Sequence, residues 1–182
     1  MTNISLGEKA IISAKKGIMA FCRFITANDT GYTGSHQYGI YLPKILASHL
    51  FSSPPHRGEN ITKNVDIKWQ DDFNTNCTFT WYASKNELRM TGFGRGFDLL
   101  RPEYTGALFV MVKESEEDYQ GFLFNTDEDI QEFLDSFGLT PAETNRPIEL
   151  NKINPELREK QAIDVFIAGL HGEFPTSFEM SS

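Results

Sequence analysis

The alternation of apolar and polar residues predicts a chain built mainly from short strands. Short apolar runs, and runs in which apolar residues recur with period two, are typical of buried and half-buried strands. Seven stretches show one of these patterns: 17–27, 38–42, 64–70, 76–84, 86–94, 105–114 and 119–125. Because the fifth stretch follows the fourth after only a short connection, we expect these two strands to form a hairpin.

Three other stretches carry helical signals. PKILASHLF (43–51) starts with Pro43, which suits the first helical position, and its periodicity predicts one apolar face made of Ile45, Leu46, His49 and Leu50. NTDEDIQEFLDSFG (125–138) offers Asn125 or Thr126 as a cap, an acidic first turn and a final glycine. NPELREKQAIDVFIAGLHG (154–172) is predicted as a last helix, capped by Asn154.

The order of these elements indicates the fold class. Strands and helices do not alternate regularly, which argues against a doubly wound parallel sheet and favours a mixed α+β, mainly antiparallel barrel or sandwich. The length of 182 residues is typical of one domain. Neither a membrane-length apolar stretch nor a signal-peptide pattern occurs, so we expect a soluble, cytoplasmic protein with no membrane partner.

Charge is distributed unevenly along the chain. Residues 1–100 contain 11 Lys or Arg against 8 Asp or Glu, a balance of +3, whereas residues 101–182 contain 6 against 17, a balance of −11. Nucleic-acid binding requires a local basic face rather than a basic average, so the first part can carry such a face despite the net charge of −8. Random asymmetry in an ordinary acidic protein gives the same numbers.

Catalytic and metal-binding patterns are weak. The four histidines never occur at zinc-ligand spacing, and Cys22 and Cys77 are isolated, as expected of buried, reduced thiols. Asp66-Ile67-Lys68 matches the D-x-K pair of magnesium-dependent nucleases, but it also fits the solvent-facing side of an ordinary strand. We therefore predict neither a metal nor a catalytic residue for this chain.

Two polar, glycine-containing segments remain as candidate binding elements: TANDTGYTGSHQYGIYLPK (26–44) and SKNELRMTGFGRG (84–96). Their side chains are of the types that read base edges, since Arg pairs with guanine, Glu accepts from cytosine and Asn bonds to adenine, while Lys, Ser and Thr hold phosphates. A carboxylate among cations suits the reading of C·G pairs better than simple attraction to phosphates. The alternative is a solvated hairpin whose charges pair with each other.

Three blocks of this sequence resemble a known family. FITANDTGYTGSHQYGIYLPK, NELRMTGFGRG and RPEYTGALFVMV occur in the order and at the separations typical of the N-terminal effector DNA-binding domain of EcoRII-type (type IIE) restriction endonucleases, with a weaker likeness up to HGEFPTSFE. The resemblance implies a DNA-binding pseudobarrel, an open barrel of about seven strands with flanking helices. We expect it to span residues 1–175, with residues 176–182 starting a linker.

The resemblance also implies two arms that grip the major groove of a CCWGG or related site, W being A or T. The residues that it marks as DNA contacts are Arg23, Asn28, Asp29, Thr30, Thr33, Ser35, His36, Gln37, Tyr38, Tyr41, Lys44, Lys85, Asn86, Glu87, Arg89 and Arg95. Leu88 and Ala83 stand where the founding member has lysines. We therefore expect fewer phosphate contacts or a changed base preference.

The partners implied are double-stranded DNA and a C-terminal nuclease domain of the same polypeptide, in the nucleoid of a bacterial cell. No cofactor is expected for this domain, which we expect to bind DNA as a monomer, whereas the nuclease domain would use Mg²⁺. Two other functions stay open from the sequence: a self-contained metal-dependent nuclease using Asp66 and Lys68, and a protein-interaction module that binds no DNA.

Overall fold

One sheet organises the part of the chain that the computed structural model describes, which is residues 4–27, 29, 39–53, 58–93 and 101–150. Its eight strands are β1 (Met19–Phe24), β2 (Ile40–Leu42), β3 (Ile61–Trp69), β4 (Asn74–Tyr82), β5 (Glu87–Thr91), β6 (Leu108–Lys113), β7 (Asp118–Phe124) and β8 (Arg146–Pro147). The α-helices of these residues are α1 (Leu6–Lys16), α2 (Ala47–Leu50) and α3 (Asp127–Ser136).

The strands follow the order β2-β5-β4-β3-β7-β6-β1-β8. Every pairing is antiparallel except that of β3 with β7, which is parallel. The sheet curves into an open half-barrel, so the predicted mixed, mainly antiparallel pseudobarrel is confirmed. The seven predicted strands are all present among the described residues. β8 was not predicted, because two residues that include a proline carry no strand pattern.

The barrel interior is packed with large apolar side chains from alternate strand positions. Phe21, Trp69 and Phe109 lie there, with the Trp69 and Phe109 rings 5.8 Å apart. The opposite face of β6 and β7 is covered by helices, since the rings of Phe124 and Phe133 are 5.8 Å apart. Burial on both faces explains why all six residues of β6 are buried and why residues 108–112 form a continuous apolar run.

Helix α1 was not predicted from the sequence. Its N-cap Ser5 accepts a hydrogen bond from the Glu8 backbone N–H at 3.1 Å, and its buried residues are Gly7, Ala10 and Ala14. The Gly7 N–H donates to the Asp129 carboxylate of α3 at 3.1 Å. Small buried residues let the two helices pack closely, but they leave no stripe of large apolar residues to indicate a helix.

The helix predicted over residues 43–51 is shorter than expected and uses a narrower face. Pro43 precedes a 3₁₀ turn (Lys44–Leu46) that leads into α2, and Leu46 and Leu50 are fully buried. Ile45 is 60% exposed and His49 is exposed, so the predicted four-residue face is wrong. The 3₁₀ turn changes the angle between successive side chains, which moves Ile45 off the core side.

Helix α3 confirms the prediction, with Thr126 as its cap and Gly138 at a φ of +63° just after it. The chain divides into two compact units, residues 1–148 and 149–182. The predicted helix at 154–172 and the predicted domain boundary at 175 lie outside the described residues.

Candidate nucleic-acid interface

The outer face of β2, β5 and β4 carries mainly polar side chains, because apolar residues of these strands point to the core and the intervening residues point outward. In β5, Leu88 and Met90 are buried in the interior, whereas Glu87, Arg89 and Thr91 face outward and are half-buried. The register places Arg89 between Tyr41 of β2 and Thr80 of β4. The end of the first polar segment and the second polar segment therefore meet on one surface of neighbouring strands.

Arg89 is held against this surface by aromatic side chains. Its guanidinium carbon lies 4.4 Å from the centre of the Tyr41 ring and 6.0 Å from that of Tyr82, and its Nη2 donates to the Tyr41 hydroxyl. The Lys85 ammonium lies 5.9 Å from the Tyr82 ring. We call Tyr41, Tyr82, Lys85 and Arg89 the arm cluster. Its geometry holds two cationic side chains on one face, because a tyrosine ring attracts a cation.

The tip of the β4–β5 hairpin presents polar side chains to solvent, and the predicted hairpin is confirmed. Lys85 and Asn86 are exposed, and Glu87 is half-buried opposite Tyr82. Asn86 has a φ of +54°, and its N–H donates to the Ala83 carbonyl at 3.3 Å. The side-chain oxygen of Asn60 accepts from the Ala83 N–H at 2.9 Å, which braces the turn from a neighbouring segment.

The backbone of the first polar segment is held close to the sheet near Ile25, where it leaves β1, and at Gly39, just before β2. At its start, the Ile25 N–H donates to Ala107 and its carbonyl accepts from Gly106, at 2.8 and 2.9 Å. At its end, a Cβ added to Gly39 would lie 3.0 Å from the Met90 carbonyl oxygen of β5, so a glycine permits this close approach. The segment is thus held at its start by the residues just before β6, and residue 39 packs closely against β5.

The residues predicted to contact DNA fall into three groups. Tyr41, Lys85, Asn86, Glu87 and Arg89 come together at the hairpin, and Lys44 is exposed in the 3₁₀ turn after β2. Arg23 and Asp29 were predicted among side chains that face DNA, but the structure buries both, 8% and 1% exposed, and pairs them with each other. Those that lie outside the described residues are Asn28, Thr30, Thr33, Ser35, His36, Gln37, Tyr38 and Arg95.

Position 88 corrects one expectation about base preference. Leu88 is 1% exposed and belongs to the interior core, so a leucine here fills the barrel and does not remove a phosphate contact from its surface. Tyr82 is a residue that the sequence reasoning missed. The predicted hairpin could have indicated it, because a residue that pairs with Glu87 lies on the same face of the sheet as Glu87 and Arg89.

The D-x-K pair lies on the exposed side of β3. The Asp66 carboxylate accepts a hydrogen bond from the Asn76 side chain at 3.1 Å, and Lys68 is exposed two residues further on. Within the described ranges, no three His, Cys, Asp or Glu side chains are grouped so that they could hold a metal ion. In the same ranges, no helix is long and apolar enough to cross a membrane.

Comparisons with known proteins identify related sequences and a related fold. The family model described as "Restriction endonuclease EcoRII, N-terminal" matches residues 14–139. The Type II restriction enzyme EcoRII of Escherichia coli is 26% identical over 113 residues, which are 57% of this chain and 28% of that enzyme. The chain therefore matches little more than a quarter of its relative's length.

A solved structure shares the fold. The B3 domain of the UbaLAI restriction endonuclease, crystallised with cognate DNA, superposes with a TM-score of 0.50 at 20% sequence identity. The match covers 77% of this chain and 95% of that domain. The open half-barrel described above is thus a B3-like pseudobarrel.

Proposed function

The chain belongs to the family of N-terminal domains of EcoRII-type restriction endonucleases, and on that premise we propose that it binds double-stranded DNA as the effector and target-recognition domain of a type II restriction endonuclease. The arm cluster is the observation that carries the proposal. Arg89 and Lys85 are held on aromatic rings at an outward-facing hairpin, where their donors can approach a polyanion.

The finer proposal is that two arms enter the major groove. The first arm is the segment between β1 and β2, and the second is the β4–β5 hairpin. Glu87 accepts from a cytosine amino group, and Arg89 binds guanine or a neighbouring phosphate. Lys85 and Lys44 bind phosphates, which positions the domain without reading sequence.

The parent protein supplies the rest of the restriction activity in this proposal. A C-terminal nuclease domain of the same polypeptide cuts DNA with Mg²⁺, and the present domain binds one CCWGG or related site as a monomer without a cofactor. The excess of acidic residues beyond residue 100 lies away from the duplex, because a carboxylate-rich surface repels phosphates.

A competition shift assay tests DNA binding directly. A labelled CCWGG duplex is competed with unlabelled CCWGG and scrambled duplexes at two salt concentrations. We expect preferential competition by CCWGG or a close variant and a steep loss of affinity with salt. Equal, salt-insensitive binding of every duplex, or none, would contradict the proposal.

Matched arginine variants locate the interface. Arg89→Ala is expected to lower the affinity by about 1–3 kcal/mol, because it removes a base or phosphate contact. Arg146→Ala is the control, since Arg146 lies in β8 at the opposite edge of the sheet. If both variants bind DNA equally, the hairpin is not the interface.

The same preparation tests the two other functions. A self-contained nuclease would cut plasmid DNA with Mg²⁺ and lose this activity in Asp66→Asn, whereas the proposed domain shifts DNA without cutting it. An interaction module of another kind would do neither.

A further inference from the structure

Strand β1 carries an arginine at a position where its alternation requires a core residue. Met19, Phe21 and Ile25 belong to the barrel interior, and period two puts Arg23 on the same face. The residue is 8% exposed. Because a guanidinium keeps its charge even when buried, it needs an anionic partner close by.

Asp29 provides that partner and also closes a turn. Its Oδ2 lies 3.0 Å from Arg23 Nη2, and the Asp29 side chain is 1% exposed. The same oxygen accepts from the Thr26 N–H and hydroxyl at 2.8 and 2.9 Å. The Asp29 N–H donates a hydrogen bond to the Thr26 carbonyl at 3.1 Å. One carboxylate oxygen therefore joins the end of β1 to the first turn of the first arm.

We propose that Arg23 and Asp29 form a positioning clamp that sets the direction in which the first arm leaves the sheet, and that neither side chain contacts DNA. The turn that Asp29 closes begins directly after Ile25, whose backbone is bonded to Gly106 and Ala107 in the segment preceding β6. It rests on the proposed function only for its effect on DNA binding. The hydrogen bonds between Thr26 and Asp29 are present in the free protein in any case.

The pair is sensitive to the loss of either partner. Among the described residues, neither Arg23 Nη1 nor Asp29 Oδ1 has a hydrogen-bond partner. The two charges therefore depend on each other, and removing one leaves the other buried without compensation. Replacing both with neutral polar residues removes that cost, and this difference separates a clamp from two independent contacts.

A double-mutant cycle in the full chain tests the clamp. Arg23→Gln and Asp29→Asn are each expected to weaken binding of cognate and scrambled duplexes roughly tenfold, and the double variant is expected to bind more tightly than either. The slope of affinity against salt stays that of the native protein. A direct phosphate contact by Arg23 would instead lower that slope by about one and leave the double variant no better than Arg23→Gln.

Two variants of Thr26 form a milder, matched pair for the case that the Arg23 and Asp29 variants do not fold. Thr26→Val removes the hydroxyl that donates to Asp29 while preserving shape, whereas Thr26→Ser keeps it. We expect Thr26→Val to bind DNA about two- to tenfold more weakly than Thr26→Ser, with similar melting temperatures. If the native chain binds DNA, equal DNA affinities of the two variants would overturn the clamp.

Hydrogen exchange of the free protein separates the clamp from the proposed function. Asp29→Ala is expected to speed exchange at the Thr26 and Asp29 amides and to leave the β6 amides unchanged, while Asp66→Ala changes neither. Unchanged exchange at Thr26 in Asp29→Ala overturns the clamp even if DNA binds. If the native chain binds no duplex but the exchange result holds, the clamp stands and the DNA-binding proposal fails.

Discussion

At the residue scale, Glu87 and Lys85 differ in burial and therefore in expected role. Glu87 is half-buried at the start of β5, whereas Lys85 is exposed at the hairpin tip. A partly enclosed carboxylate can discriminate between bases, and an exposed ammonium acts as a point charge toward phosphates. We expect Glu87→Gln to reduce the difference in binding free energy between the preferred and the other base pairs at one position by about 1–3 kcal/mol. We expect Lys85→Gln to lower the affinity for all sequences and to reduce the slope of log affinity against log salt concentration by about one.

Fluorescence anisotropy on duplexes with single base-pair changes, at several salt concentrations, measures both effects. The controls are Glu128→Gln in α3 and Lys15→Gln in α1, which are exposed and far along the chain from the hairpin. If Glu87→Gln lowers the affinity for all duplexes by the same factor, the proposal that Glu87 reads a base is wrong.

Gly121 in β7 shows how closely the barrel is packed. A Cβ at this position would lie 2.7 Å from two carbons of the Trp69 ring and 3.0 Å from Ile67. The indole is 2% exposed and donates to the Thr75 hydroxyl at 2.8 Å, so it is not expected to move easily. We expect Gly121→Ala to lower the free energy of unfolding in urea by about 1–3 kcal/mol.

The Trp69→Phe background tests this cause. Phenylalanine lacks the outer ring that Gly121 accommodates, so the penalty of Gly121→Ala should shrink by more than about 0.5 kcal/mol in a double-mutant cycle. An unchanged penalty would mean that the backbone of β7, rather than the indole, requires glycine.

At the element scale, the β4–β5 hairpin depends on the left-handed conformation of Asn86. A φ of +54° is tolerated by asparagine and favoured by glycine, but it costs most other residues about 1–2 kcal/mol. Two substitutions separate the backbone role of Asn86 from a DNA contact by its side chain. We expect Asn86→Ala to destabilise the hairpin and weaken DNA binding, and Asn86→Gly to keep the hairpin intact.

The DNA affinity of Asn86→Gly then decides between the two roles. Native-like affinity in Asn86→Gly, measured by anisotropy with urea unfolding as the stability control, assigns Asn86 to turn geometry. A loss in Asn86→Gly equal to that in Asn86→Ala assigns the side chain to the DNA contact predicted for it.

The sequence predicted those elements whose burial follows from local periodicity. Strands such as β3 and β4 alternate because one face is solvated, and α3 has a cap, an acidic turn and an apolar stripe. Helix α1 was missed because its contact with α3 uses alanine and glycine. The burial of Arg23 was missed although period two puts this position on the core side of β1, because a buried arginine needs an anionic partner and Asp29 is brought to it by a turn that the alternation does not predict.

At the scale of the whole molecule, one part of the sheet forms the packed core and another part carries the proposed binding surface. β1, β6 and β7 are largely buried, and α1 and α3 lie against the face of β6 and β7 that points away from the barrel core. β2, β5 and β4 leave one face polar, and that face bears the arm cluster. A polar surface can therefore vary its side chains for different ligands while the doubly covered strands keep the fold.

Each of the two parts of the sheet contains one cysteine, in β1 among the buried strands and in β4 among the strands with a polar face. Cys22 in β1 and Cys77 in β4 are free and fully buried. Burial raises the pKa of Cys22 from 9.0 to about 12. Burial likewise raises the pKa of Cys77 to about 11, against a smaller lowering by its hydrogen bond with Thr75. Both thiols therefore stay protonated in the folded protein at a pH where they ionise in the unfolded chain.

Stability is consequently expected to fall at alkaline pH. The contribution of each thiol is fully present below pH 9.0 and is lost as pH rises toward the folded pKa, because the unfolded chain then binds fewer protons. Between about pH 9.5 and about pH 10.5, each thiol should lower the free energy of unfolding by about 1 kcal/mol per pH unit. Urea midpoints between about pH 8 and about pH 10.5 measure the slope. The double variant Cys22→Ala, Cys77→Ala removes both thiols, so its slope should be shallower even though its cavities lower stability at every pH. Parallel slopes would show that other groups, and not these thiols, set the alkaline limit.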